Sequence, residues 1–394
     1  MRNLLRRSVL LVIVLHGLIH LLGAAKGLGW ADVSALKDPI GTVAGLGWLA
    51  AAALLLVTAV LASRHVDGWW WVAVPAVVTS QIVIIMSWSD ARTGTLANLL
   101  IVLAAAHGYA AHGQRSLRAR YHREVEAALA TTASPNRLAT GPVTEGDLEP
   151  LPECVARYVR RSGAVGQPRI AGFRAGVHGR IRGGATQRWM PFTGEQVNTY
   201  GPEPTRQFFI DATRSGLPVD VLHVFSHAHA SMQVRLASLA PLVDAHGPEL
   251  DLAETVTVFN DLCVLAPAAL VDAPVTWQDC REHTVRAAYT LGGRTITADL
   301  TFNTDDELVD FVSHDRSAAS ADGRTFTPRR WSTPLQGYRD VGARHVAVDG
   351  EARWHAAGTD GAFTYLDFHV DQLDHNVQAR DAVVPTATPH APAL

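Results

Sequence analysis

Two histidines one helical turn apart, His16 and His20, interrupt the otherwise lipid-soluble run "LHGLIHLLG". A titratable side chain is costly in hydrocarbon, so where one occurs it faces a protein interior or a cavity. At positions i and i+4 the two imidazoles lie about 40° apart around a helix. Such a pair can ligate one ion or a haem, or relay a proton. It can equally hydrogen-bond across a bundle and fix its packing. Gln81 and Asn98 fall in the outer half of two later apolar stretches, with Asp90 and Arg92 at the mouth of that half. No Cys, Asp or Glu lies at the depth of the histidines, so the ligand set is thin and packing is the expected role.

Two further groups have the residue types of a site. In "LHVFSHAH", His223, His227 and His229 occupy alternate positions and share one face of a strand. They are weak metal candidates, because no third or fourth ligand follows at motif spacing, and a solvated strand face is the ordinary reading. Glu254 and Asp261 are seven residues apart on a helical pattern. They lie about 20° apart, as a general acid and base would if their surroundings split their pKa values. The ordinary reading is the solvated stripe of an amphipathic helix. Asp315 and Arg316 in "SHDRS" read as a neighbouring charge pair or a turn anchor. The sequence has no phosphate-binding glycine loop, nucleophile elbow, CxxC pair or metalloprotease helix, and it names no cofactor.

The elements that position these residues are of two kinds. Residues 1–113 contain four windows almost free of charge, 8–25, 40–62, 69–88 and 95–112. Each is about the ~20 residues that a helix needs to cross hydrocarbon. A cleaved signal peptide is the alternative for the first window, but three more follow it. The lipid bilayer is therefore the expected partner. Arg2, Arg6 and Arg7, then Arg64, then Arg115, Arg118, Arg120 and Arg123 all border one side of these windows. Basic residues are retained inside, so both termini and the region after the spans are expected in the cytoplasm. The three cysteines, all after the spans, are odd in number and cannot fully pair, which reads as reduced cytosolic thiols. A net charge of −3 and the absence of basic runs interleaved with aromatics exclude a nucleic-acid binder.

Residues 114–150 read as a charged helix and an aperiodic linker, residues 151–380 as a β-rich soluble domain, and residues 381–394 as a disordered tail. Turn signals at Gly183, Gly292, Thr304, Ala321, Val348 and Thr359 separate alternating runs such as "RTITADLTF" and "FTYLDFHVDQL". They predict a meandering antiparallel sheet of nine to eleven strands, broken by one helix, "LDLAETVTVFNDLCVLAP". The fold class is thus four membrane helices plus an α+β domain, a curved half-barrel-like sheet with a covering helix. The helix's apolar face, Leu252, Val256, Phe259 and Cys263, is expected to meet the concave side of the sheet and line its cavity.

The runs "ETVTVFNDLCVLAPAALVD", "ADLTFNTDDELVDFVSHDR", "RRWSTP" and "FTYLDF" resemble a bacterial family defined by domain of unknown function 6544. The leading "HGLIHLLGAAKGLG", "GLGWLAAA" and "SWSDARTGTLANL" look like the four-span region of its members. The soluble part is similar, more distantly, to the lipoprotein-carrier half-barrel, a curved sheet holding a helix over an apolar cavity that accepts acyl chains. The resemblance implies a membrane-tethered module that binds an apolar or acyl ligand, or a partner segment. The alternative class is a membrane enzyme or transporter working through His16, His20, Gln81 and Asn98.

Overall fold

A computed structural model describes residues 2–132, 141–320, 322–355 and 361–378. The expected tail at 381–394 lies outside the described residues. The chain divides into two compact units, residues 1–119 and, in the main, the remainder.

The first unit is a helical bundle: α1 (Arg2–Gly27), α2 (Thr42–Ser63), α3 (Trp69–Met86), the single turn α4 (Trp88–Ala91) and α5 (Gly94–His112). Four of its helices are long and apolar enough to cross a membrane. Large apolar side chains such as Leu11, Ile19, Val74, Ile82 and Leu99 point outward, and Ile13, Leu55, Ala73, Ala76 and Ile101 pack together inside. Small residues on facing helices let the backbones approach, which substitutes for hydrophobic driving force in lipid. The charged helix expected after the fourth span is α6 (Leu117–Thr132), with the Ser116 hydroxyl accepting the Ala119 N–H at its start.

The second unit contains most of α6 and a short helix, α7 (Glu153–Arg161), before its sheet. Its first strands are β1 (Gly172–Ile181), β2 (Met190–Thr199), β3 (Thr205–Arg214), β4 (Leu217–Ser226), β5 (His229–Leu236) and β6 (Ala240–His246). Then come α8 (Pro248–Leu265) and the strands β7 (Val275–Trp277), β8 (Thr284–Leu291), β9 (Arg294–Phe302) and β10 (Leu308–Ser313). The remainder is β11 (Ser317–Ala319), β12 (Phe326–Pro328), β13 (Trp331–Ser332), β14 (Leu335–Val341), β15 (Arg344–His355) and β16 (Ala362–His375).

Fourteen strands form one antiparallel sheet, curled into a half-barrel, in the order β6-β5-β4-β3-β2-β1-β16-β15-β13-β10-β9-β8-β7, with β14 paired to β15. β11 and β12 pair separately. The count exceeds the nine to eleven expected because two-residue turns cut runs that carry no Gly-Gly or Asp-Gly signal. "VDVLHVFSHAHASMQVRL" is two strands, turned at His227 and Ala228, both in the left-handed region at φ 51 and 58. The expected turn at Val348 is the interior of β15. Its Gly350 answers a different need, since a Cβ there would meet the Phe368 ring at 2.6 Å.

Helix α8 lies within the curl of the sheet, and all of its residues after Leu252 are buried. Val256, Phe259 and Cys263 pack into the core, where the Phe259 ring stacks on Tyr289 at 4.9 Å and meets Phe311 edge-on at 5.7 Å. The Tyr158 hydroxyl on α7 donates to the Cys263 carbonyl at 2.7 Å. At the other end, Asp251 accepts from the Ala230 N–H at 2.7 Å and from Arg294 at 2.8 Å, anchoring the first turn. Cys154 and Cys280 form a disulfide across 126 residues, and only Cys263 is free. This corrects the reading of three reduced thiols: an odd count forbids complete pairing but not one pair.

Candidate functional site

Between α8 and the concave face of the sheet lies a cavity of about 380 Å³. Most of its wall is apolar, with Val177, Phe192, Phe208, Val221, Val264 and Phe368 among the lining residues. All but Val264, which is on α8, come from strands that present alternate side chains to one face, so the period of two that builds the sheet also builds most of the cavity wall.

One wall is charged. Arg206 on β3 donates from Nε to Asp261 at 2.7 Å and from Nη1 to Glu254 at 3.2 Å. Asp261 also accepts from Gln196 at 2.6 Å and Asn198 at 3.2 Å. Glu254 has His223 Nδ1 and an Arg316 nitrogen each at 3.7 Å. Arg206, Glu254 and Asp261 are all more than nine-tenths shielded from solvent. Burial alone would raise the Glu254 carboxyl, but the charges of Arg206, His223 and Arg316 outweigh it and hold the group down at about 2. Burial likewise opposes the charge on Arg206, and Asp261 and Glu254 more than restore it, raising its pKa.

The helix face that meets the cavity is therefore the reverse of the one expected. Leu252, Val256, Phe259 and Cys263 do not line it; Ala253, Glu254, Thr257, Asn260, Asp261 and Val264 do. Glu254 and Asp261 are brought together, but as two acceptors of one guanidinium rather than as a solvated stripe. The reason is that α8 is buried on both faces, and its polar face finds its partners on distant strands.

A family model described as a family of unknown function, DUF6544, matches residues 141–368, more than half of the chain and all of this charged wall. The chain belongs to DUF6544. No curated protein matches it. Two solved structures are similar to the DUF6544 chain at low identity. One is a domain provisionally named an outer membrane lipoprotein-sorting protein, from Vibrio parahaemolyticus, with 11% identity and a TM-score of 0.28 over 59% of this chain and 95% of that one. The other is a DUF1329 family protein from Desulfovibrio piger, with 9% identity and a TM-score of 0.33 over 60% of this chain and 95% of that one.

Of the three histidines in the DUF6544 domain singled out above, only His223 lines the cavity. His227 sits in the turn and the largely exposed His229 contacts Asp251 at 3.1 Å, so the shared strand face does not exist. Among the described residues, no three His, Cys, Asp or Glu side chains come together as a metal site. Asp315 and Arg316 do not pair: Asp315 accepts from the Thr297 N–H at 2.6 Å and hydroxyl at 2.9 Å, while Arg316 lines the cavity. Arg206 and Gln196 escaped the sequence reading, because no local motif marks a residue whose partner is more than fifty positions away, and Trp331 escaped it with its spatial neighbour Arg316, which reads as part of a charge pair or turn anchor.

Within the bundle, His16 Nε2 lies 3.0 Å from Asn98 Oδ1 and 3.2 Å from the Ser80 hydroxyl. Asn98 donates to Gln81 at 3.0 Å, and Gln81 to Thr95 at 3.1 Å. His20 Nδ1 donates to the His16 carbonyl at 2.8 Å, and its ring packs 4.8 Å from Trp48. The two imidazoles meet each other edge-on at 4.5 Å, His16 otherwise reaching α3 and α5 and His20 reaching α2. Asp90 stands apart, accepting the N–H groups of Lys37 and Asp38 at 2.5 and 2.8 Å.

Proposed function

We propose that this DUF6544 chain is a membrane-anchored binding module, whose apolar helices sit in a bilayer and whose half-barrel takes an apolar or acyl ligand. The observation that carries the reading is the cavity of about 380 Å³ with apolar walls. Ligand sites are typically pockets of about 300–1,000 Å³ with few polar groups. Catalysis by Glu254 is the weaker reading, since a carboxyl held near 2 is no general acid at neutral pH. The bundle polar groups bond largely to one another, and we assign them to holding α1, α3 and α5 together rather than to chemistry.

Organic extracts of the purified full chain, compared by mass spectrometry with those of Val221→Trp, test the module. Val221 lines the cavity, so the larger ring fills it. A lipid-class molecule should leave the wild type and be depleted in the variant. Wild-type extracts identical to a detergent blank, with no uptake of added palmitate or hexadecanol, would sink the reading.

We assign both termini and the soluble unit to the cytoplasmic side on the distribution of arginines. The Cys154–Cys280 bridge favours the other side, because disulfides persist in oxidising compartments. A reporter active only outside the membrane, fused after the last residue, should be silent. Activity there, with the two cysteines resistant to alkylation in intact cells, would reverse the assignment.

A further inference from the structure

Arg316, 9% exposed, donates no side-chain hydrogen bond among the described residues, and its Nε is buried without a partner. The nearest charge, Glu254 Oε1, lies at 3.7 Å, beyond hydrogen-bond reach. Other shielded arginines of the same unit donate to acceptors: Arg206 bonds two carboxylates, Arg169 bonds Asp147 and Asp272 through its terminal nitrogens although its Nε is also without a partner, and Arg344 bonds the carbonyls of Gly163 and Pro168. A shielded guanidinium with five donors, a buried Nε and no acceptor within hydrogen-bond reach calls for an explanation.

The surroundings supply one. The Arg316 guanidinium lies 4.4 Å from the centre of the Trp331 ring and 5.5 Å from that of Trp354. Stacking on indole engages the face of the guanidinium and fixes its plane, leaving the in-plane N–H fork, whose geometry matches a carboxylate, without a partner. Three more atoms on cavity-lining residues lack hydrogen-bond partners, namely Thr333 Oγ1, His223 Nδ1 and Asn260 Oδ1. The charges also have a sense. Arg206 is taken by Glu254 and Asp261 together, and among the charged groups of the wall the buried atom without a partner is Arg316 Nε, on a cation. The wall's two arginines balance its two carboxylates and His223 adds a further basic group, so one added negative charge is easier to hold than an added positive one.

We infer that Arg316 is a recognition residue for the head of the ligand, and that the cavity takes a long-chain carboxylate, its chain along the apolar strands and its carboxylate on the Arg316 fork beside Thr333. This rests on the reading of the cavity as an acyl site and adds to it the chemistry of the head. A fatty acid meets both requirements, where a fatty alcohol lacks the charge and a fatty amine has the wrong sign.

The test is equilibrium binding of radiolabelled palmitate, hexadecanol and hexadecylamine to the full chain held in amphipol, with Arg316→Gln, Arg316→Lys and Thr333→Val beside the wild type. Palmitate should bind the wild type roughly 10- to 100-fold more tightly than hexadecanol, the size of a charge-assisted bond. Arg316→Gln should bring palmitate down to the level of hexadecanol and leave hexadecanol within about twofold, and Arg316→Lys should recover part of the loss by charge without the fork. Thr333→Val, a milder change, should weaken palmitate roughly threefold to tenfold, which keeps the test decisive if Arg316→Gln loses its melting transition. Hexadecanol or hexadecylamine binding the wild type as tightly as palmitate overturns the head assignment and leaves the acyl cavity standing. No binding by any of the three overturns the cavity reading beneath it.

Discussion

Replacing Arg206 by Gln removes the one cation that bonds both Glu254 and Asp261, and leaves two buried carboxylates to face each other and His223. The cost follows from the position of Glu254, held at about 2 against an ordinary 4.5. A displacement of that size corresponds to about 3 kcal/mol, and breaking a buried pair by removing one partner costs about 3–5 kcal/mol in general. For a unit of this size the melting temperature should fall by roughly 6–12 °C at pH 7. The pH dependence has a definite sign. In the wild type the Glu254 contribution is complete above the unfolded value of 4.5 and is lost as pH falls toward 2. In the variant burial is no longer outweighed, the carboxyl titrates above its ordinary range, and the deficit shrinks as pH falls from 7 to 4. Thermal melting of the detergent-solubilised full chain by intrinsic fluorescence, across that pH range, reads both effects. A triple variant with Arg206→Met, Glu254→Gln and Asp261→Asn should regain most of the loss, because neutral replacement of a whole buried ion cluster is roughly break-even. A melting temperature within about a degree of wild type at pH 7, or a deficit that does not change with pH, would refute the reasoning.

Three other outcomes are expected. Phe259→Ala, at a position with no exposure and a ring stacked on Tyr289, should cost about 3–5 kcal/mol in chemical denaturation, and a loss below about 1 kcal/mol would show that α8 is not seated as described. Burial raises the Asp310 carboxyl to about 6 from 3.8, so the native state loses stability as pH rises through that window. With partial exposure discounting the effect to about 1 kcal/mol, Asp310→Asn should melt roughly 2–4 °C higher than wild type at pH 7 and no higher at pH 4. Replacing His16 and His20 together by Gln should preserve expression, melting and ligand content, whereas stoichiometric metal or a haem absorption band in the wild type, lost in the double variant, would make the pair a functional centre.

What could be read from the sequence, and what could not, divides along range. The four apolar helices are legible because lipid demands about twenty uncharged residues in a row, a local signal that no distant contact can hide. The sheet is legible where Gly292 and Gly293 mark a turn, and illegible where His227 and Ala228 make one without a glycine. The face of α8 was legible as a grouping, 256 with 259 and 263, and 254 with 257 and 261. Which group meets the cavity was not, because that depends on Arg206 and Arg316, some fifty to sixty residues away on either side. The periodicity of a helix states which residues travel together; it does not state what they meet. Cys154 and Cys280 are a second case, since a pairing across 126 residues is set by the closure of the fold and leaves no trace in the spacing.

The pairing of β16 has a consequence for how the protein is made. Phe173 on β1 lies opposite His375, and β15 pairs with the other edge of the same strand. Strands β1–β6 on one side, and β7–β10 with β13–β15 on the other, are thus two half-sheets joined through the strand of this sheet that is translated last. Until residue 375 has emerged, each half carries an unpaired edge, and the curl around α8 stays open. The anchoring helices are translated first and can enter the bilayer while this domain is still two pieces. A ribosome stalled before Ala362 would therefore leave a chain already fixed in the membrane with two bare strand edges, β1 and β15, each a template for pairing with a neighbouring chain.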